Sequence, residues 1–402
     1  MNKLARSAFG VGALTALLTA GLAGAQPAFR AVKLPNENER VTGIYCAAAN
    51  ACVISTDMPG GPGHVYASDG KQITATLITG DSKFAEPLGT LGDLGFLGFT
   101  KVGDRLVVHT SSAGGAFISA TGDITKPASW SAAKIGVLDG GGTFGLNQQM
   151  GIGTRDGRWV LFTLRTLYDS TDAPGPGALW SPLWSPVSPS VPRNFAELQR
   201  ADKRLCDSDP GTSIQPRLTQ PAYVAPDLSL ILYPNGARNQ RGSGNPGVCI
   251  STDGGRRFYR AEFKGVEGDL GPLGVTCAGA TRCLAYGGLD YAPASAYIFV
   301  SNDPQKGPDS SWTRATLPAL RENAQFRHVF FAPGGTNGWA VGKTDSSSPL
   351  LLQTSDGGAT WRDATASVRA LAPSSRLHAG FAFDAEHVWI GGERGLLLTS
   401  GN

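Results

Sequence analysis

The chain has 402 residues, 41% of them hydrophobic and 17% charged, with 54 glycines and 26 prolines. Its 35 Lys and Arg against 32 Asp and Glu leave a formal net charge of +3. That balance excludes the basic footprint of a nucleic-acid-binding protein, and the glycine and proline content excludes a helical bundle in favour of a turn-rich all-β chain.

Residues 1–25 read as an export signal. Lys3 and Arg6 form a positive start, Val11 to Leu22 is apolar but too short to span a bilayer, and Ala23-Gly24-Ala25 is a small-x-small cleavage site. No cysteine follows that site, so no lipid anchor is expected, and no other stretch could cross a membrane. The mature chain, 26–402, is expected in the periplasm or outside the cell.

From there one phrase recurs seven times: a strand of four or five mostly apolar residues. The copies begin at Cys52, Arg105, Arg158, Ser229, Cys283, Trp339 and Trp389, in steps of 53, 53, 71, 54, 56 and 50 residues. A near-constant period of this size marks an array of equal structural units, none able to bury its faces alone. A second apolar run follows each phrase, and then a turn. The fullest turns are Thr354-Ser-Asp356-Gly-Gly-Ala-Thr-Trp361 and Ser251-Thr-Asp253-Gly-Gly-Arg-Arg-Phe258. Looser ones run from Asp303 to Trp312 and from Asp123 to Trp130, and Asp69-Gly70 keeps only the turn. Asp accepts hydrogen bonds from backbone N–H groups of its own turn, Gly supplies positive φ, and the aromatic residue packs between units. A structural role is therefore expected for Asp253, Asp303, Asp356, Trp312 and Trp361.

These turns resemble the Asp-box, or BNR repeat, of sialidase-like β-propellers and of propellers similar to the photosystem II assembly factor. The resemblance implies a fold and leaves the chemistry open. The last unit, from Leu377 to Ser400, has only three strands. Phe29-Arg-Ala-Val-Lys-Leu-Pro35 matches the fourth-strand segment Trp312-Thr-Arg-Ala-Thr-Leu-Pro318, so the N-terminal strand is expected to complete the last unit. The predicted fold is thus all-β: one seven-bladed propeller of four-stranded blades, closed by its N-terminal strand, which removes exposed edges.

Six cysteines in an exported chain point to disulfides. Cys46 and Cys52 flank five residues, as do Cys277 and Cys283, and both pairs occupy the hairpin between first and second strands. Cys206 and Cys249 remain as the third pair. Cys206 lies in a Pro-rich insertion at about 189–221 that accounts for the 71-residue step, with a helix predicted over Phe195 to Leu205.

Strand alternation sorts the loops. Asp turns and both cysteine hairpins fall on one face; second-to-third loops and blade crossovers fall on the other. Loops on a rigid scaffold carry binding, so the open face opposite the Asp turns is the expected binding face. Its candidates are Tyr168, Asp169, Asp172, Arg238, Arg241, Asp290, Tyr291, Lys343, Asp345 and Arg394, with a groove walled by the insertion.

Catalytic motifs are scarce. His-Glu-x-x-His and Gly-x-Ser-x-Gly are absent, and Gly140 to Gly145 fits Gly-x-Gly-x-x-Gly without a strand–helix context. The histidines at 64, 109, 328, 378 and 387 lack ligand spacing, and His109 and His378 read as packed strand residues. A sialidase would need three Arg from different blades, a Tyr–Glu pair, an acid, and Phe/Tyr-Arg-Ile-Pro near its start; here Phe29-Arg30 is followed by Ala31-Val32. The expected function is a monomeric, non-enzymatic binding scaffold for a glycan or protein partner, without metal, cofactor or nucleic acid. The alternatives are a sialidase-like glycoside hydrolase and an assembly or maturation factor for an exported or membrane complex.

Overall fold

The computed structural model describes residues 27–81, 94–110, 116–134, 136–137, 149–163, 167–174, 178–184, 206, 222–235, 247–264, 274–279, 281–287, 296–321, 323–344 and 348–401. Strand β1 (Arg30–Lys33) comes first. Blade 1 holds β2 (Arg40–Ala48), β3 (Ala51–Asp57), β4 (His64–Ser68) and β5 (Ile73–Thr79). Blade 2 holds β6 (Phe96–Val102), β7 (Arg105–Thr110), β8 (Ala116–Thr121) and β9 (Trp130–Lys134). Next come β10 (Gly136–Val137) and blade 3, with β11 (Gln149–Arg155), β12 (Arg158–Thr163), β13 (Leu167–Ser170) and β14 (Leu179–Trp184). Blade 4 has β15 (Tyr223–Val224), β16 (Ile231–Asn235), β17 (Gly247–Ser251) and β18 (Tyr259–Glu262). Blade 5 has β19 (Gly274–Cys277), β20 (Cys283–Gly287), β21 (Tyr297–Ser301) and β22 (Thr313–Arg314). Blade 6 has β23 (Gln325–Phe331), β24 (Gly338–Lys343), β25 (Pro349–Thr354) and β26 (Arg362–Asp363). Blade 7 has β27 (Leu377–Ala382), β28 (Val388–Gly392) and β29 (Leu396–Thr399).

Each phrase read from the sequence lies on a blade's second strand, and every blade is an antiparallel meander. Closure is as predicted: β1 pairs antiparallel with β29, Arg30 opposite Thr399 and Lys33 opposite Leu396. Blade 3 carries an addition the period does not show. The two-residue β10 pairs parallel to β14 at its outer edge.

Seven apolar clusters fill the seven gaps between blades. Val32 of β1 and Leu34 just after it pack with Trp389 and Leu397 of blade 7 against Val41, Ile54 and Tyr66 of blade 1. The turn aromatics act as wedges: Trp361 of blade 6 packs on Leu284 and Tyr286 of blade 5, and Trp312 of blade 5 on Ile250 and Phe263 of blade 4. Burying surfaces of this size is the main stabilising contribution.

The Asp turns are closed hydrogen-bond units. Asp356 Oδ1 accepts from Thr354 Oγ1 (2.8 Å) and from the Thr360 amide (2.9 Å), and its Oδ2 from Thr360 Oγ1 (2.6 Å). Asp253 Oδ1 accepts from the amides of Arg256 and Arg257 and from Ser251 Oγ. Gly358 sits at φ 92°, and a Cβ there would meet Leu284 Cδ2 at 2.6 Å, so the turn needs glycine twice over. Arginines tie these turns to the preceding blade: Arg158 donates to the Gly254 carbonyl, Arg282 to that of Asp356, and Arg30 to that of Gly70.

All three disulfides form: Cys46–Cys52, Cys277–Cys283 and Cys206–Cys249. The first two join residues directly opposite across their hairpins. Cys206 is buried with Phe162, Tyr233 and Cys249 between blades 3 and 4, and its amide bonds to Phe258. The predicted helix at 195–205, and the rest of the insertion apart from Cys206, lie outside the described residues. Among the described residues no helix is long and apolar enough to cross a membrane.

Candidate functional site: the open mouth of the ring

The innermost strands, β2, β6, β11, β15, β19, β23 and β27, follow one another around the channel, each in contact with the next. Five carry a bulge at their second or third residue, next to the open face. The extra residues are Thr42, Leu97, Met150, Arg327 and His378. A bulge sets two successive side chains on one side of the strand and re-aims the first. Here that side is the following blade. Thr42 Oγ1 donates to the Phe96 carbonyl of blade 2, and a Cβ on its neighbour Gly43 would lie 2.3 Å from Gly98. His328, beside Arg327, accepts the Gly380 amide of blade 7.

The five residues form a collar at the inner rim, all of them at most 7% exposed. It has two unlike arcs: Leu97 and Met150 on blades 2 and 3, and Arg327, His378 and Thr42 on blades 6, 7 and 1.

Charge gathers over the polar arc. Arg40 pairs with Asp57 at 2.5 Å, Arg376 with Glu393 at 3.5 Å, and His378 Nε2 lies 3.2 Å from the same Glu393 oxygen. Burial holds His378 below the ordinary imidazole range, opposed by Glu393 and reinforced by Arg40 and Arg327. The bond from His378 holds Glu393 below the ordinary carboxyl range, with Arg376 and Arg40 adding to it against burial. At neutral pH His378 is therefore a neutral donor to an ionised Glu393. Three arginines from three blades thus share one small region.

Beside them Glu39 is fully buried. Its Oε1 bonds to His64 Nδ1 (2.5 Å) and to the Tyr66 hydroxyl (3.1 Å), while Oε2 has no hydrogen-bond partner among the described residues. The His64 and Tyr66 rings stack at 5.3 Å. Burial and then Glu39 push the Tyr66 phenol up. Among the described residues no group of three or more His, Cys, Asp or Glu is arranged to hold a metal. A cavity of about 310 Å³ lies elsewhere, on the blade 5–6 crossover beside Ala296, Leu317 and Leu320.

The open-face candidates divide. Lys343 ends β24 and Arg394 occupies the exposed turn between β28 and β29, both at the open ends of blades 6 and 7. Arg238, Arg241, Asp290, Tyr291 and Asp345 lie outside the described residues. Tyr168, Asp169 and Asp172 need correction. The segment read as one long loop contains β13, which runs back towards the Asp-turn face. Tyr168 is 6% exposed in the core between blades 2 and 3. Asp169 pairs with Arg158 at 3.1 Å, and Asp172 sits in the third-to-fourth turn with its amide on Ser170 Oγ. His378 is buried, as expected of a packed residue, and also belongs to the charged cluster. His109 is buried with its pKa lowered to about 4 by that burial.

No family model matches the chain, and no curated protein matches it. Solved structures resemble it in fold. YCF48 from Cyanidioschyzon merolae has a TM-score of 0.58 at 12% identity, over 93% of this chain and 98% of that one. YCF48 bound to a D1 peptide has a TM-score of 0.54 at 14% identity, over 94% and 98%. The GH74 xyloglucanase of Xanthomonas campestris has a TM-score of 0.51 at 18% identity, and the match covers 92% of this chain but 53% of the enzyme. At these identities the likeness is one of fold, and the fold is a β-propeller.

Proposed function

We propose that the protein is an exported, non-catalytic binding propeller that holds a segment of a protein partner against its open face. The observation that carries this reading is the convergence of Arg40, Arg327, Arg376, His378 and Glu393 from blades 1, 6 and 7 at the channel mouth. Such a cluster on a rigid ring offers preorganised donors. The leader-like residues 1–25 and three disulfides support an oxidising compartment. A propeller of this shape, YCF48, holds a D1 peptide, which supports a peptide over a glycan and makes an assembly or maturation role one form of the same reading. The Asp-box resemblance of Thr354 to Trp361 bears on the frame and not on the ligand. The hydrolase reading has less support. A general acid needs a raised pKa, whereas Glu393 is held low and Asp57 is engaged by Arg40.

The test is photo-crosslinking in cells that export the protein, with the reactive residue placed at Arg394 or, separately, at Arg256 in a blade 4 Asp turn. Polypeptide adducts should form from position 394 and not from 256. Adducts from 256 alone would move the binding face to the other side of the ring.

A further inference from the structure

We infer that the exported chain begins with a pyroglutamate, formed by Gln26 on itself, and that this ring seals the strand that closes the propeller. The inference rests on the export reading, in which the leader is cut after Ala25, and adds a modification site to it.

The closing strand is also the end of the chain. The described residues begin at Pro27, Ala28 is exposed, and β1 starts at Arg30. Anchoring starts at Phe29, which packs against the cluster between blades 6 and 7. Arg30 donates to the Gly70 carbonyl of blade 1 at 2.6 Å, and Val32 and Leu34 fill the gap between blades 7 and 1. Trimming the end of a domain is usually harmless, because terminal residues are poorly tied down. Here an exopeptidase working inward from residue 26 meets Phe29 and Arg30 directly after Ala28. Further loss would uncover the edge of β29, which β1 covers by pairing Arg30 with Thr399 through Lys33 with Leu396. A free amine at this end is therefore a weak point of the whole ring.

The chemistry of residue 26 removes that weak point. Cleavage after Ala23-Gly24-Ala25 leaves Gln26 with a free α-amine. Nucleophile and electrophile then sit in one residue, at the spacing that closes a lactam. The α-nitrogen attacks the side-chain carbonyl carbon Cδ. The new N–Cδ bond replaces the Cδ–Nε2 bond, whose electron pair leaves with Nε2 as ammonia, and the proton lost by the amine goes with it. No oxidant, cofactor or second molecule is consumed. The amine attacks in its unprotonated form, and an ordinary α-amino pKa of about 8 leaves a usable fraction of that form at neutral pH. The product has no amine and no terminal charge, so an aminopeptidase has nothing to grip. The next residue adds to the seal: the bond before Pro27 carries no N–H, which general aminopeptidases require. The register of the cut matters. Cleavage one residue earlier or later would present Ala25 or Pro27, and neither can cyclise.

The test is the mass of the N-terminal peptide of protein taken from exporting cells, read at isolation and after several weeks at neutral pH, with Gln26→Ala as reference. Wild type should start at residue 26 and be lighter than its sequence by one ammonia, in a fraction that grows with time and resists Edman sequencing. Gln26→Ala should keep its amine throughout. Both are then treated with a broad aminopeptidase together with one specific for bonds before proline. The cyclised chain should stay intact. Gln26→Ala should lose residues through Phe29, and its melting temperature, equal to that of wild type before treatment, should fall. A start at residue 26 with the amine still free after storage overturns the inference and leaves the export reading standing. A start at Met1 overturns both, and a start at any other residue overturns the inference alone. Equal trimming of the cyclised chain and Gln26→Ala, or of neither, overturns the sealing role.

Discussion

On one face of the ring Asp356 has both carboxylate oxygens bonded within its own turn; at the other face Glu39, fully buried, leaves Oε2 without a hydrogen-bond partner among the described residues. The contrast extends beyond these two residues. Asp69, Asp123, Asp253 and Asp303 each close their turns with local backbone amides or hydroxyls, and Arg158 and Arg282 tie two Asp turns to the preceding blade. At the open ends of the same strands, bulges turn side chains from one blade towards the next, so that charged groups on three blades meet. A self-completed polar unit stabilises and has nothing left to offer a ligand. A cluster completed across blades, with buried atoms still unbonded, is suited to recognition.

If the Asp-turn side and the blade closure are the frame, injuries there should cost stability and spare binding. The largest effect should come from deleting residues 27–35, which removes β1 and the burial of Val32 and Leu34. A loss of about 5 kcal/mol is expected from two apolar side chains and a strand ladder, read as denaturant midpoint; an unchanged midpoint would refute closure by β1. Trp361→Ala should follow at about 4 kcal/mol, since the ring is 6% exposed and its indole N–H donates to the Gly358 carbonyl at 2.9 Å. The bridges should rank by loop length: losing Cys206–Cys249, 43 residues apart, costs about 4 kcal/mol, and losing Cys46–Cys52, 6 apart, about 2 kcal/mol. Equal costs would show that the long bridge does not constrain the unfolded chain.

Acid should act in two stages. Burial lowers the pKa of His109 and His328 to about 4. A folded pKa below the unfolded one gives stability that is present above about pH 6.5 and lost as pH falls towards 4. The Asp turns follow. Burial raises Asp356, but bonds from Thr360 and Thr354 outweigh it; amides of Lys71 and Gln72 hold Asp69 low. Their contribution is present above about pH 4 and is lost below it. Tm should therefore fall gently below about pH 6.5 and steeply below about pH 4. His109→Gln should flatten the first stage, and a wild-type Tm constant from pH 7 to 4.5 would contradict it.

What could be read from the sequence follows the same divide. The strand period, the Asp turns, the cysteine pairs and the closure are local patterns or matches between units, and the Asp356 carboxylate finds its partners, Thr354 and Thr360, within its own turn. The collar is not local. Nothing in the run Gln325-Phe326-Arg327-His328 marks Arg327 as a bulge residue, because the bulge is defined by its register against β24. Arg40, Arg376 and Glu393 look ordinary in sequence and meet only once the ring is closed. Tyr168 and Asp169 fall away from the open face because β13 has four residues and alternates weakly, so a strand reads as loop; β10, at two residues, carries no signal at all.

The most direct test pairs one variant from each face. Arg376→Gln and Asp356→Ala are compared for Tm and for capture of the partner crosslinked through position 394, at a temperature where both are folded. Asp356→Ala should lower stability by about 2 kcal/mol and capture as wild type does. Arg376→Gln, whose ion pair is partly exposed, should change stability by less than about 1 kcal/mol and lose capture at least tenfold. The reverse result, capture lost with Asp356→Ala and kept with Arg376→Gln, would contradict the division between a structural and a binding face.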